Sequence, residues 1–236
     1  MKPRILVTRP EPGASRTAAR LAAAGFEPVL LPLTRIVPFD FSMPDGDFDA
    51  VIVTSAQALK AVKADRMLTL TVYAVGETTA ESVKSAGFAA IFTAGGSVAS
   101  IASLVRDSAK PAARLLYLCG KVRRPELETA LEAAGFHVTA VETYDAVPIS
   151  YTRDALGERL GQTPFDAVTL LSAQAAELIS AIAAAPKFAP LFQSSVIICF
   201  SARICAALRG AAGLDICVTK EATEDAMMAC LSRRFF

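Results

Sequence analysis

The sequence holds no tryptophan and a single histidine, His137, among its 236 residues. One histidine excludes metal sites built on several imidazoles, and it makes any Ser/His/Asp triad depend on one position. Neither sign of charge is in excess: 24 basic residues face 23 acidic ones, for a net charge of +1. General electrostatic binding of nucleic acid needs a basic face, so it is not expected. The five cysteines (Cys119, Cys199, Cys205, Cys217 and Cys230) never form a C-x-x-C pair. An odd, scattered set points to reduced thiols and a cytoplasmic home. Mean hydropathy is positive, but alanine carries much of it. No stretch of about 18 residues is free of charge and polarity, so no membrane span is expected. The opening MKPRILVTRP has too short an apolar run for the core of a signal peptide. No G-x-G-x-x-G follows the first apolar run, no G-x-x-x-x-G-K-[ST] occurs anywhere, and Gly95-Gly96-Ser97 reads as a turn. No nucleotide cofactor is expected.

What is present is an apolar, globular chain: 53% hydrophobic and 20% charged. Its length allows one large domain or two small ones, each able to bury a core without staples. Short apolar runs alternate with Ala/Leu-rich helical stretches. The runs are Ile5–Thr8, Ala50–Thr54, Val72–Val75, Ala90–Phe92, Leu115–Leu118, Ala167–Leu171, Val196–Phe200 and Ile216–Val218. This alternation predicts an α/β fold with parallel sheets. Runs that are apolar throughout suit sheets covered on both faces.

The chain also repeats itself. Arg4-Ile-Leu-Val matches Arg114-Leu-Leu-Tyr, LAAAGF from Leu21 matches LEAAGF from Leu131, and Pro38 matches Pro148, all at an offset of 110. FDAVIVTSAQA from Phe48 matches FDAVTLLSAQA from Phe165 at 117, and Val72-Tyr-Ala-Val-Gly aligns with Ile197-Ile-Cys-Phe-Ser at 125. One order with a slowly growing offset reads as a duplicated unit with small loop insertions. Segments 33–39 and 141–149 occupy equivalent places, are short and extended, and end near a proline, so they read as connectors.

In parallel α/β sheets ligands bind beyond the carboxyl ends of the strands, where helix N-termini present free N–H groups. Those ends here carry Thr8-Arg9, Thr54-Ser55, Gly76 with Thr78-Thr79, Thr93 with Gly95-Gly96-Ser97, Cys119-Gly120-Lys121, Ser172, Ser201 with Arg203, and Thr219-Lys220. Small hydroxyls, glycines and a few cations suit carboxylates or phosphates. Helix capping is the plainer use of the same Ser and Thr residues. The run Lys121-Val-Arg-Arg124 is either a solvated helix start or an anion site. His137 stands where the other repeat has Glu27, which reads as a solvated position after a helix. Met227-Met228 reads as core of a C-terminal helix. Tyr144 lies in the second connector, where the first has Thr34. A phenol with a pKa near 10 is a weak acid, but it can donate a hydrogen bond to a leaving hydroxyl.

These residues resemble one family, uroporphyrinogen-III synthase. The resemblance covers nearly the whole chain: LVTRPEPGASRTAARLAAAGFEPVLLP, FDAVIVTSAQAL, AVGETTAESVKSAGF, LYLCGKVRRPELETALEAAGFHVTAVETYDAVP and FDAVTLLSAQAAEL. The ordered set carries it: T-R-P at the start, V-G-x-x-T-A in the middle, and a tyrosine shortly before a proline in the second connector. The resemblance implies two flavodoxin-like domains joined by a two-stranded connector. Residues 1–35 with 149–236 would form one, and 38–145 the other. It implies that hydroxymethylbilane is cyclised to uroporphyrinogen III, with loss of water and inversion of ring D, in tetrapyrrole (haem) biosynthesis. No metal or organic cofactor, nucleic acid or membrane enters, and nothing demands a dimer. Tyr144 matches the connector tyrosine that assists loss of the hydroxyl. Gly76 and Thr79 match the V-G-x-x-T-A turn. Ser172 and Ser55 match the serines at the two F-D-A-V strand ends, and Arg9, Lys121 and Arg123 are candidate carboxylate partners. One turn departs from the pattern: where the family has a G-x-T-T-A-like turn, this chain has Ser201-Ala-Arg-Ile-Cys205. Arg203 either binds a propionate there or marks drift of that half of the cleft. The alternative role is a non-catalytic tetrapyrrole-binding or regulatory protein on the same fold. A two-domain sensor like the periplasmic binding folds is a third, which the lack of a signal peptide disfavours.

Overall fold

The chain opens with β1 (Arg4–Val7), α1 (Gly13–Ala23) and β2 (Glu27–Leu30). It continues through β3 (Thr34–Pro38), β4 (Ala50–Val53), β5 (Thr71–Ala74), α2 (Glu77–Ser85), β6 (Ile91–Thr93), α3 (Val98–Ser108), β7 (Arg114–Gly120), α4 (Glu126–Ala133) and β8 (His137–Pro148). It ends with α5 (Arg153–Leu160), β9 (Ala167–Leu170), α6 (Ala173–Ala183), β10 (Val196–Cys199), α7 (Ala202–Ala206), β11 (Asp215–Val218) and α8 (Glu224–Phe235). This computed structural model describes residues 1–40, 43–60, 67–123, 125–210 and 213–236. Two units emerge: Met1–Arg35 with Val147–Phe236, and Ile36–Ala146.

The first unit holds a sheet ordered β11-β10-β9-β1-β2, with every neighbour parallel. Alternate residues of each strand feed opposite cores. Leu6, Val168, Leu170, Ile197 and Cys199 pack on α5, α6 and α7, while Ile5, Val7, Ala167, Val196 and Ile198 pack on α1 and α8. Both faces are therefore covered, which is why the strands read as unbroken apolar runs. Met227 is fully buried on α8.

The second unit holds a sheet ordered β3-β8-β7-β4-β5-β6. Its strands β4 to β8 are parallel, and its two cores again lie on opposite faces. Read from β2 and from β8, the sheets share one order: β2-β1-β9-β10-β11 and β8-β7-β4-β5-β6. Segments 33–39 and 141–149, read from the sequence as extended connectors, contain β3 and the second half of β8. The Phe39 amide donates to the Thr143 carbonyl and the Ile149 amide to the Leu33 carbonyl, each at 2.9 Å.

The apolar runs fall on strands to within about a residue or two at each end, while three strands lack such a run: β3, which lies in the first connector, β2 and β8. β2 carries Pro28 and lies at an edge, where a missing N–H is tolerated. β8 begins at the exposed His137, is half-buried along most of its length and carries Thr139, Glu142, Thr143 and Asp145, so no unbroken apolar run marks it. Among the described residues no helix is long and apolar enough to cross a membrane.

Candidate active site at the strand ends

Parallel strands finish on the same side, so each sheet presents its strand ends along one edge. In the second unit these ends carry Thr54-Ser55, Gly76 with Thr79, and Gly120-Lys121. Ser55 is extended, and its hydroxyl accepts from the Gln57 amide at 3.3 Å, starting a short 3-10 turn at Ala56–Leu59. Gly76 opens α2 without a side-chain cap, and Thr79 is buried in the first turn. Ser97 caps α3 in a reciprocal box with Ser100, just after Gly95-Gly96.

Tyr144 is placed by a break in strand register. Cys119 faces Glu142, but Gly120 faces Tyr144, so β8 holds one residue more than β7 at this point. The extra residue, Thr143, is fully buried, and its hydroxyl donates to the Cys119 carbonyl at 3.2 Å. A bulge of this kind re-aims the next side chain. The phenol of Tyr144 comes to lie over Gly120: a Cβ there would stand 2.8 Å from Cζ and 3.0 Å from the hydroxyl oxygen. The Lys121 amide closes the bulge on the Tyr144 carbonyl at 2.8 Å. Burial pushes the phenol above the usual tyrosine range. The proton is thus held firmly at neutral pH, as a donor requires.

A second phenol meets the same strand end from the other face of the sheet. Tyr117 is 4% exposed, and its hydroxyl lies 3.0 Å from Thr54 Oγ1. Burial pushes it up to about 12. Tyr117 was not singled out from the sequence, although a signal existed: it stands in the aliphatic run RLLY where the repeat has Val7 in RILV. A hydroxyl in a buried strand demands a partner. Gly120 carried no special signal, because its role depends on the bulge.

The cations divide into engaged and free. Arg123 holds Glu128 at 3.2 Å through Nε and Glu142 at 2.9 Å through Nη1. Lys121 is exposed. Arg124 lies outside the described residues.

In the first unit, Thr8 is buried and donates to the Thr169 carbonyl at 2.7 Å. Arg9 folds over Gly13, where a Cβ would stand 2.5 Å from its Nε. Its guanidinium is already bound to Glu224 of α8 and, at 3.1 Å, to Thr17. Arg20 joins the same carboxylate at 3.2 Å. Ser172 and Ser201 cap α6 and α7, accepting from Ala175 at 3.1 Å and Ile204 at 3.4 Å. Arg203 is exposed on α7 and makes no ion pair among the described residues. Thr219 spends its proton on the Glu221 carbonyl at 2.6 Å.

Capping and ligand binding are compatible at Ser55, Ser172 and Ser201. A cap uses a lone pair of the hydroxyl, and its proton stays available to an anion. Thr8 and Thr219 have already committed theirs. Among the described residues no group of three or more His, Cys, Asp and Glu side chains is arranged to hold a metal.

Comparison with known proteins joins this geometry to a family. A crystal structure of uroporphyrinogen-III synthetase from Helicobacter pylori matches 99% of this chain and 100% of its own, at 17% identity and a TM-score of 0.67. A mutant uroporphyrinogen III synthase from Thermus thermophilus matches 97% of each chain, at 17% identity and a TM-score of 0.52. At such identity these structures carry the fold alone. No curated protein matches the chain. The family model described as "Uroporphyrinogen-III synthase HemD" matches residues 15–229, nearly the whole sequence. The chain belongs to the uroporphyrinogen-III synthase family.

Proposed function

We infer that this chain cyclises hydroxymethylbilane to uroporphyrinogen III with inversion of ring D, and that Tyr144 is the group that assists departure of the hydroxyl. Membership of the family over residues 15–229 carries the reaction. The register break that sets the Tyr144 phenol over Gly120 supports the residue.

The chemistry asks little of general acid strength. The carbon–oxygen bond of the hydroxymethyl group on ring A breaks, and the leaving oxygen gains a proton and departs as water. The electrophilic azafulvene left behind is attacked by the substituted end of ring D, giving a spiro intermediate. Fragmentation and reclosure at the free end invert that ring, and a proton is lost on rearomatisation. A phenol held protonated over Gly120 can hydrogen-bond the leaving oxygen and be restored from solvent.

The remaining task is to hold a flexible, polycarboxylated chain in one closing geometry. Ser55, Ser172 and Ser201 have hydroxyl protons to offer, Gly76 leaves the first amides of α2 uncapped, and Thr79 sits in that first turn. Each charge-assisted bond contributes about 1.5–3 kcal/mol. Lys121 and Arg203 are the cations best placed to meet carboxylates. Arg9 and Arg123 would do so only by releasing Glu224, or Glu128 and Glu142. The reading includes two domains from a duplicated unit, supported by the shared strand order. It also includes a monomer in the cytoplasm, supported by sheets covered on both faces by the chain's own helices and by five free thiols.

The test generates hydroxymethylbilane in place from porphobilinogen, adds the protein, oxidises, and separates uroporphyrin isomers I and III. Isomer III in excess of the protein-free control is expected, and Tyr144→Phe should cut its rate at least several-fold with Tm unchanged. Isomer I alone from the folded wild type would refute the reaction. A fully active Tyr144→Phe would remove the phenol from the mechanism.

A further inference from the structure

The strand that carries Tyr144 changes sides before it delivers the phenol. Val138 and Ala140 of β8 pack with Tyr117 and Cys119 on the face covered by α3 and α4, and Val141 packs on the opposite face. Regular alternation would return residue 144 to the side of residues 138 and 140. Tyr144 instead packs with Val141, Val53 and Leu118 on the opposite face. The extra residue, Thr143, accounts for the reversal, because a one-residue step exchanges the two faces of a strand. Two side-chain bonds cross this step in opposite directions. The Thr143 hydroxyl of β8 donates to the Cys119 carbonyl of β7 at 3.2 Å, and the Cys119 thiol donates to the Val141 carbonyl of β8 at 3.3 Å. We propose that Cys119 and Thr143 are positioning residues, a reciprocal clasp that holds the bulge and so keeps the Tyr144 phenol on the face where it lies over Gly120. The proposal rests on the reading of Tyr144 given above.

A bulge interrupts the ladder, and buried polar groups beside it need partners other than water. Cys119 is 1% exposed and Thr143 fully buried. The Thr143 carbonyl is held by the Phe39 amide, just past β3, at 2.9 Å, and the Tyr144 carbonyl by the Lys121 amide at 2.8 Å. Residue 143 is thus tied to the first connector through its backbone and to β7 through its hydroxyl. Removing the hydroxyl takes a donor from the Cys119 carbonyl at the break, where desolvation makes its loss costly. The balance then moves toward the regular register, in which residue 144 stands on the α3 and α4 face. The thiol is the weaker donor of the two. Burial pushes it up to about 11, so it stays protonated and able to donate. Both residues act through the direction of Tyr144.

The test pairs kinetics with a signal that reads the placement of Tyr144 directly. The chain has four tyrosines, so the ring signals of 13C-labelled protein can be assigned from four single Tyr→Phe variants. In the wild type the Tyr144 ring should show a nuclear Overhauser effect to the Gly120 α-protons. Thr143→Val keeps the shape and removes the hydroxyl. It should weaken or abolish that effect and lower kcat about 5- to 50-fold with KM within twofold, and Thr143→Ser should restore both. Cys119→Ala should act in the same direction by less, about 2- to 5-fold in kcat. In the Tyr144→Phe background neither change should lower kcat further. A Tyr144–Gly120 effect of wild-type strength in Thr143→Val would overturn the proposal, as would losses that multiply with Tyr144→Phe. Thermal unfolding identifies any variant that loses the fold, and if Thr143→Val does, Cys119→Ala decides by the same signal. If the wild type forms no isomer III, the functional reading fails while the Tyr144–Gly120 effect still decides the clasp.

Discussion

Replacing Gly120 by alanine tests the placement of Tyr144 without touching the phenol. Gly120 does not have a positive φ, so alanine suits the backbone and the effect is steric. The new methyl carbon would stand 2.8 Å from Cζ and 3.0 Å from Cε2 and the hydroxyl oxygen. Relaxed carbon contacts lie at about 3.5–4.0 Å, so the ring must retreat by roughly 1 Å. A displacement of that size at a reacting group costs up to about 100-fold in rate. Overpacking costs about 1–3 kcal/mol of stability. The expected result for Gly120→Ala is kcat lowered about 10- to 100-fold, more isomer I by spontaneous closure, and a modestly lower Tm. The measurement is the isomer assay run beside thermal unfolding. In Gly120→Ala/Tyr144→Phe the alanine should add nothing further to the loss of kcat. The reasoning is refuted by wild-type kcat in Gly120→Ala, or by an equal slowing of the Tyr144→Phe enzyme.

Arg203→Ala should raise KM several-fold with little change in Tm, because the guanidinium is exposed and unpaired among the described residues; unchanged KM and kcat would make it a surface residue. Glu224→Gln should lower stability by about 1–2 kcal/mol by weakening its hold on Arg9, Thr17 and Arg20, with KM within twofold; a KM that falls markedly would show Arg9 released to bind substrate. Stability should fall at alkaline pH. Burial raises the Cys119 thiol from 9.0 to about 11 and the Tyr117 phenol from 10.0 to about 12, so the folded state holds these protons more tightly than the unfolded chain. Their contribution is full below pH 9 and is lost as pH rises through 9–12. A Tm that stays flat across that range would contradict the burial of both groups.

The sequence disclosed most strands because both faces of each sheet are covered, which makes a strand an unbroken apolar run. It disclosed β2 and β8 poorly for the converse reason: Pro28 and the exposed His137 mark half-covered positions. Capping serines were visible as residue types, but which hydroxyls keep a free proton depends on neighbours far along the chain. Thr8 gives its proton to Thr169, a partner that nothing near residue 8 announces. The same holds for Arg9, legible as a cation but occupied by Glu224. Tyr144 was visible from its place in the second connector, opposite Thr34, and by resemblance. Its orientation was not, because a one-residue bulge at Thr143 leaves no local mark. Tyr117 was legible in principle, as the odd hydroxyl in an aliphatic strand.

The sheet of the first unit is built from both ends of the chain: β1 lies between β2 and β9, and residues 36–146 intervene. On the ribosome this separates the units in time. The second unit is contiguous and is complete once residue 146 has emerged. The first must wait for the 90 residues from 147 to 236, about 5–18 s at ordinary rates of synthesis. Early in that interval Ile5, Leu6 and Val7 have no β9 to pair with, and until its end they have no α8 to cover them. Early strand β1 is therefore the segment of nascent chain most in need of protection, and truncation near the carboxyl end strands the amino end as well.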